Sequence, residues 1–244
     1  MLILSCNTIL KSQGFDWQYS SRMPTAYPNL FIGANTQITN FQNTTAINLF
    51  DNVCICTKFD THQSTVNYNY GFASEYWASP YIALTASLNY THSKLNLQQM
   101  GEALPLNDTT LLKTEFVMQS DLSYITLNLG AKYRLFGTHA HIGTTLGFGI
   151  LSSNSIRIFE HVLSPAGYHF RNTNSDSIFY KSPELKNLYI VPRISLGYDI
   201  SIIENWYLTP SVNVGIPIMQ VIKTDTWNQW QYSFSLSIFR GIIY

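Results

Sequence analysis

The chain has 244 residues, a formal net charge of zero, and 11% charged against 45% hydrophobic residues. Soluble domains carry roughly a quarter charged residues, yet no run of about 20 apolar residues is present to form a spanning helix, so a helical membrane protein is excluded. The neutral balance leaves no basic stripe to displace counterions, which excludes nucleic acid as a partner. The remaining class in which low charge meets near-neutral hydropathy is a transmembrane β-barrel, where half of each spanning segment is polar.

The start, MLILSCNTILKSQG, is a short apolar run followed by small and polar residues. It reads as the remnant of a secretory signal over 1–13, cut near Gln13, with a periplasmic segment over 14–28. Leu4 to Cys6 also reads as a lipoprotein acylation site, and a truncated start is the plain alternative. With Cys6 removed, Cys54 and Cys56 remain. Two thiols one residue apart, with no His or further Cys at ligand spacing, are a weak metal signal. A structural or incidental role is favoured, and no metal or cofactor is expected.

From residue 29 onward a period of two dominates, the signature of half-buried strands. Strands are predicted over 29–41, 65–77, 81–95, 124–135, 139–151, 188–200, 206–218 and 230–239. In the fourth, Ile125, Leu127, Leu129, Ala131, Tyr133 and Leu135 share one face, while Tyr124, Thr126, Asn128, Gly130, Lys132 and Arg134 take the other. The last opposes Tyr232, Phe234, Leu236 and Ile238 to Ser233, Ser235 and Ser237. The connections after strands two, four and six are minimal (78–80, 136–138, 203–205). Those after one, three and five are long (42–64, 96–114, 161–184), and the seventh, 223–228, is shorter but polar.

Such alternation predicts an all-β, eight-stranded antiparallel up-and-down transmembrane β-barrel over 29–244, with short periplasmic turns and long external loops. A soluble lipocalin-like barrel is the rival fold, with apolar side chains inside and no lipid-facing band. Aromatics are expected to girdle both interfaces. Trp77, Tyr81, Tyr133, Phe136, Trp206 and Tyr207 fall on the short-turn side; Tyr68, Tyr70, Tyr90, Phe159, Trp227, Trp230 and Tyr232 on the other. Pro192, Pro210 and Pro217 lie within predicted strands and cannot donate to the ladder, so bulges or fraying are expected there.

The phrases FASEYWASPYIALTASLNY (72–90) and LNLGAKYRLFG (127–137), with the terminal aromatic Tyr244, resemble small outer-membrane barrels similar to the OmpA-like transmembrane domain. The Tyr- and Asn-rich character and FDWQYSSRMPTAYP (15–28) look like the Bacteroidetes type. The resemblance covers 29–244 and implies residence in the bacterial outer membrane. It places the protein among lipid bilayer and lipopolysaccharide-type lipids, with an external or outer-membrane protein partner reached through the loops. The peptidoglycan-anchoring role of two-domain relatives is not carried over.

An eight-stranded barrel is just filled by its own side chains. Glu75, Lys132, Arg134 and Asp199 lie on the polar phase near the short turns, with His139 and His141 at the same level, so an ion-pair network is expected in that half of the lumen. Arg193 is expected further out, against Asp121 or Glu115. Such a network either plugs the barrel or gates it, and the plug is favoured. His139 and His141 read as satisfied lumen histidines rather than as a base or metal ligands. His92 lies near the outer rim, where a barrel acyltransferase would hold its histidine, but no motif surrounds it. No catalytic residue is assigned. The loop 161–184, rich in Tyr, Phe, His and Asn, is a candidate for a glycan or protein partner. Sequon matches at Asn43, Asn89 and Asn107 are chance in an Asn/Thr-rich chain. The expected role is therefore structural or surface-binding. The alternatives are a small transporter, with a lateral opening expected near a proline bulge, and a membrane-embedded lipid-modifying enzyme.

Overall fold

The structure is a computed structural model that describes residues 30–48, 58–79, 81–107, 110–135, 138–170, 175–203 and 206–242. The expectations for the N-terminal segment, Cys54, Cys56, Phe136 and Tyr244 lie outside these residues.

Eleven strand segments follow in chain order: β1 (Leu30–Asn48), β2 (Lys58–Trp77), β3 (Ile82–Met100), β4 (Leu104–Pro105), β5 (Leu111–Arg134), β6 (Ala140–Ser164), β7 (Ser177–Tyr180), β8 (Leu188–Tyr198), β9 (Ile200–Ile203), β10 (Trp206–Gly215) and β11 (Thr226–Ile242). β4 and β7 are short additions to the outer ends of β5 and β6. β9 continues β8 past Asp199 along the same partner, β10. The rest is a ring of eight antiparallel strands, each paired with its sequence neighbours and closed by β1 on β11 from Leu30↔Ile242 to Ala46↔Thr226. This is an all-β up-and-down barrel, and closure leaves no open edge across the spanning region.

The alternation decides which face meets lipid. On β3, Leu88 is 52% exposed on the outer wall, and Ile82 and Leu84 share its side. Ile125, Leu127 and Leu129 on β5 and Tyr232, Phe234 and Ile238 on β11 are likewise exposed. Soluble monomers rarely leave apolar patches above a few hundred Å² in water. Here the patch encircles the molecule. From Ile125 to Tyr133 the belt runs about 26 Å along the strand, roughly 20 Å of height at a tilt of about 40°, comparable to the lipid-facing band of a barrel.

Above the belt the arrangement reverses. Further along β3, Leu95 and Leu97 are buried inside, and Phe116, Met118 and Leu122 of β5 join them. Ile47, Phe59, Ile158, Val191, Ile222 and Trp227 complete a closed apolar core in the outer half. On β3 and β5 the inversion needs no change of geometry: the apolar residues simply move to the other phase. β6 uses a bulge instead. Tyr124 pairs with Leu151 but Ser123 pairs with Ser153, so Ser152 is an extra residue. The bulge swaps the faces of β6: Ile142, Leu146 and Ile150 face out below it, and Ile158 faces in above it.

The expected long loops 42–64 and 96–114 are therefore largely strand, and 161–184 is strand over 161–164 and 177–180. β1 reaches Asn48, β2 begins at Lys58, β3 reaches Met100 and β6 reaches Ser164. The hydrophobic phase breaks at the top of the belt while the hydrogen-bond ladder continues. The prolines behave as their missing amide requires. Pro192 sits where the β8–β10 ladder ends at Arg193↔Gly215. Pro210 pairs with Leu236 on one side and faces the β8/β9 break on the other. Pro217 lies beyond β10.

Candidate functional site

At the short-turn end of the lumen, inward positions of four strands and of the β8/β9 break converge. Lys132 of β5 is buried, and its Nζ donates to both Glu75 carboxylate oxygens of β2, at 3.1 and 3.2 Å, and to Asp199 Oδ1 at 2.7 Å. Arg134, two residues on and hence on the same face, donates to Asp199 Oδ2 at 3.3 Å. The Thr209 hydroxyl donates to Asp199 at 2.8 Å, and the Tyr207 hydroxyl to Glu75 at 2.5 Å. His141 Nδ1 lies 3.6 Å from Asp199 Oδ1. Asp199 reaches this position because β8 breaks there: its amide donates to the His139 carbonyl at 3.0 Å. Two carboxylates face two cations, so the cluster is neutral when His141 is neutral. An isolated ion at this depth is costly, and the mutual hydrogen bonds offset that cost.

Beneath the cations lies an aromatic floor. The Arg134 guanidinium stands 4.1 Å from the Trp77 ring centroid, and Lys132 Nζ stands 5.3 Å from Trp77 and 5.6 Å from Tyr207. Phe31 and Phe239 flank Tyr207 at 5.0 Å each. Trp77 and Tyr207 were expected at the membrane interface; they are instead luminal. Trp77 shares the parity of Glu75, and Tyr207 that of Thr209, so alternation overrides the general placing of aromatics at strand ends. Tyr81, Tyr133 and Trp230 do face outward. Trp206 is half-buried, with Arg240 5.7 Å over its ring. Trp227 belongs to the outer core, where its indole nitrogen donates to Asn43 at 3.1 Å.

His139 precedes β6, is half-buried, and sets its ring 5.9 Å from Tyr198, while its carbonyl holds the Asp199 amide. Arg193 faces the lumen one layer further out and takes neutral partners: Asn128, Gln231 at 3.0 and 3.2 Å, and Tyr189 at 3.3 Å. Asp121 and Glu115, its expected partners, lie on the opposite parity of β5. Asp121 stands 3.4 Å from His92 and 3.7 Å from Lys94, and Glu115 stands 3.3 Å from His161. Between the ionic cluster and Arg193 a polar cavity of about 130 Å³ is lined by Ser87, Asn128, Ser195, Ser211 and Ser235 among others. That is room for a few waters at roughly 30 Å³ each.

Sequence reasoning missed the surroundings of His92. Its Nδ1 lies 3.2 Å from Ser123 Oγ as well as 3.4 Å from Asp121, and Tyr90 donates to Ser123 Oγ at 2.8 Å. These residues are 31 and 29 positions apart in sequence, and only the β3–β5 register joins them. A serine relay needs the hydroxyl on one ring nitrogen and the carboxylate on the other. Here both approach the same nitrogen.

No family model and no curated protein sequence matches the chain. Solved structures of similar outline include Ail, the attachment invasion locus protein of Yersinia pestis, at 8% identity and a TM-score of 0.41, covering 87% of this chain and 98% of that one. Neisserial surface protein A matches at 10% identity and a TM-score of 0.38, covering 88% and 97%. CarO of Acinetobacter baumannii matches at 14% and 0.37, covering 88% and 98%. At these values the likenesses decide nothing about ligand or activity. The closed ring of eight strands, its apolar belt and its polar, ion-paired lumen make this chain a small transmembrane β-barrel.

Proposed function

We propose that the protein is a sealed outer-membrane barrel with a structural and surface-binding role, presenting its outer half to the exterior. The observation that carries this reading is the double closure of the lumen. Lys132 is held between Glu75 and Asp199 at one end, and the Trp227–Phe59–Met118 core fills the other. A solute would have to break buried ion pairs and then displace packed apolar side chains. Planar-bilayer recording of the full chain tests it: no steady conductance is expected from the wild type, or from Glu75→Gln and Arg134→Ala, because the outer core still blocks the path. Steady conductance in the wild type would sink the proposal and favour the channel reading.

The OmpA-like, Bacteroidetes-type relation belongs to the same proposal and rests on strand phrasing. So does the assignment of 1–13 to a leader and 14–28 to the periplasm, which the mass of the protein extracted from outer membranes would check. External recognition is placed on the connection 165–187 and its β7 ladder. There Tyr180 donates to Glu160 at 2.5 Å, and burial first, then that carboxylate, pushes its phenol up. No catalytic role is proposed for His92, since Ser123 and Asp121 compete for one nitrogen. Ser123→Ala is expected to leave the acylation pattern of membrane lipids unchanged, and an altered pattern on mass spectrometry of lipid extracts would reinstate an enzyme.

A further inference from the structure

Within the belt the lumen carries more positive than negative charge. Among the described residues three cations face it there, Lys132, Arg134 and Arg193, against two carboxylates, Glu75 and Asp199. Lys132 and Arg134 take up both carboxylates, so the excess sits on Arg193, whose partners Asn128, Gln231 and Tyr189 are all neutral. Neutral dipoles spread such a charge without cancelling it, and in a narrow lumen inside a bilayer an unopposed ion is costly. One negative charge would bring this level to neutrality.

The hydrogen bonds around Arg193 lead its charge towards the polar cavity of about 130 Å³. A guanidinium only donates, so its bond to Asn128 fixes that amide, with the oxygen towards Arg193 and the nitrogen away from it. The nitrogen donates to Ser87 Oγ at 3.0 Å, across the directly paired positions Ser87↔Asn128 of β3 and β5. Asn89 donates to the same oxygen at 3.2 Å. Ser87 thus accepts twice, and its own hydrogen is left for the cavity that it lines. The β10–β11 wall repeats the pattern. Ser235 accepts from Asn213 at 3.1 Å and shares one hydrogen with Ser211 at 2.6 Å, so one of the two hydroxyls keeps a hydrogen unspent. Thr85 Oγ1 is buried at the same cavity without a hydrogen-bond partner. The carboxylate in the lining, Glu75, already accepts from Lys132 and Tyr207. Asn35, whose side-chain oxygen also has no partner, presents its amide hydrogens once the planar group is turned over.

We propose that this cavity binds one small monovalent anion, which in ordinary salt is chloride. The spare hydroxyl hydrogens of Ser87, Thr85 and the Ser211–Ser235 pair face it, and the aligned Arg193–Asn128–Ser87 chain turns its positive end towards it. The volume admits a chloride together with a few waters at roughly 30 Å³ each. A divalent oxyanion would overshoot the excess charge and is excluded. The bound ion neutralises the lumen between the ionic cluster and the Arg193 layer. This goes beyond the sealed-barrel reading and does not depend on it: a sealed lumen captures the ion during folding, and a conducting one exchanges it.

The test is urea unfolding of the full chain in phosphatidylcholine vesicles at constant ionic strength, with chloride replaced by gluconate, which is too large for the cavity. An ion that binds only the folded state raises the folding equilibrium constant in proportion to its concentration once the site is filled, so a tenfold rise in chloride should raise that constant by up to about tenfold in the wild type. Arg193→Gln removes the excess charge and Ser87→Ala removes a donor; from each, a response below about twofold is expected. Lys223→Ala, an exposed cation paired with Glu184, is the charge control and should respond as the wild type does. If Arg193→Gln fails to fold, Ser87→Ala still decides, since it deletes a single hydroxyl. A wild type indifferent to the exchange, or the same response in every variant, would overturn the proposal. Crystals grown in bromide give the position: an anomalous peak between Ser87 and Ser211 is expected. Peaks confined to the outer surface would mean an adventitious ion only and would overturn it too. Conductance in the wild type, by contrast, would sink the sealed-barrel reading and leave this site standing.

Discussion

Leu88 and Leu97 stand nine residues apart on one strand and obey opposite rules. Leu88 faces outward over a lumen of Asn, Ser and Thr; Leu97 faces inward with polar neighbours outside. The lower half of the barrel is held from within by ions and hydrogen bonds, because its outer surface gains nothing from hiding apolar groups when the solvent is lipid. The upper half is held by burial of apolar groups from water, at roughly 25 cal/mol per Å². One ladder of backbone hydrogen bonds runs through both. Secondary structure here is thus indifferent to solvent, and the side-chain phase alone records which medium surrounds each level.

That contrast can be broken at either end. The largest effect is expected from Asp199→Asn, which removes the carboxylate that Lys132 and Arg134 share. Removing one partner of a buried ion network costs about 3–5 kcal/mol. Urea unfolding in lipid vesicles, followed by tryptophan fluorescence, should show that loss, and a change below about 1 kcal/mol would mean that the cluster is solvated or redundant. Trp227→Ala is expected to cost about 3–5 kcal/mol as well, but locally, by opening a cavity in the outer core. Limited proteolysis should then cut the outer half while heat-modifiable migration persists. Loss of both together would show that the two halves fold as one unit.

The boundary itself can be sharpened by an arginine scan down the outer face of β3. Leu88→Arg is expected to cost about 2–4 kcal/mol, the penalty for a cation at the lipid face. Asn96→Arg, on the same face eight residues further, should cost within about 0.5 kcal/mol, as for an ordinary surface change. A similar cost at both positions would move the edge of the bilayer outward.

Much of the lower half was legible in the sequence. Ile125 to Leu135 alternates so strictly that lipid face, lumen face and the shared level of Lys132, Arg134 and Glu75 follow from parity and nearness to a short turn. Parity would also have placed Trp77 inside, since it shares the phase of Glu75; the general habit of aromatics at strand ends misled there. The upper half was harder to read. Leu95 and Leu97 lie on the opposite phase from Leu88, and a reader following one phase sees the strand stop. The Ser152 bulge leaves no mark in composition. The company of His92 was invisible for another reason: Ser123 and Asp121 reach it only through the register of β3 on β5, which no local pattern encodes.

The last ladder of the ring joins Leu30 to Ile242, across almost the whole described chain, whereas the other seven join strands adjacent in sequence. The order of assembly follows. Hairpins can form as the strands emerge, but the cylinder cannot seal until β11 exists, and its closure carries the entropy of the longest loop in the molecule. A chain interrupted anywhere before Thr226 would leave β1 with unpaired amides and carbonyls facing lipid, where nothing can hydrate them. The first strand must therefore wait for the last, and the partly built sheet needs shelter from the bilayer until that strand arrives.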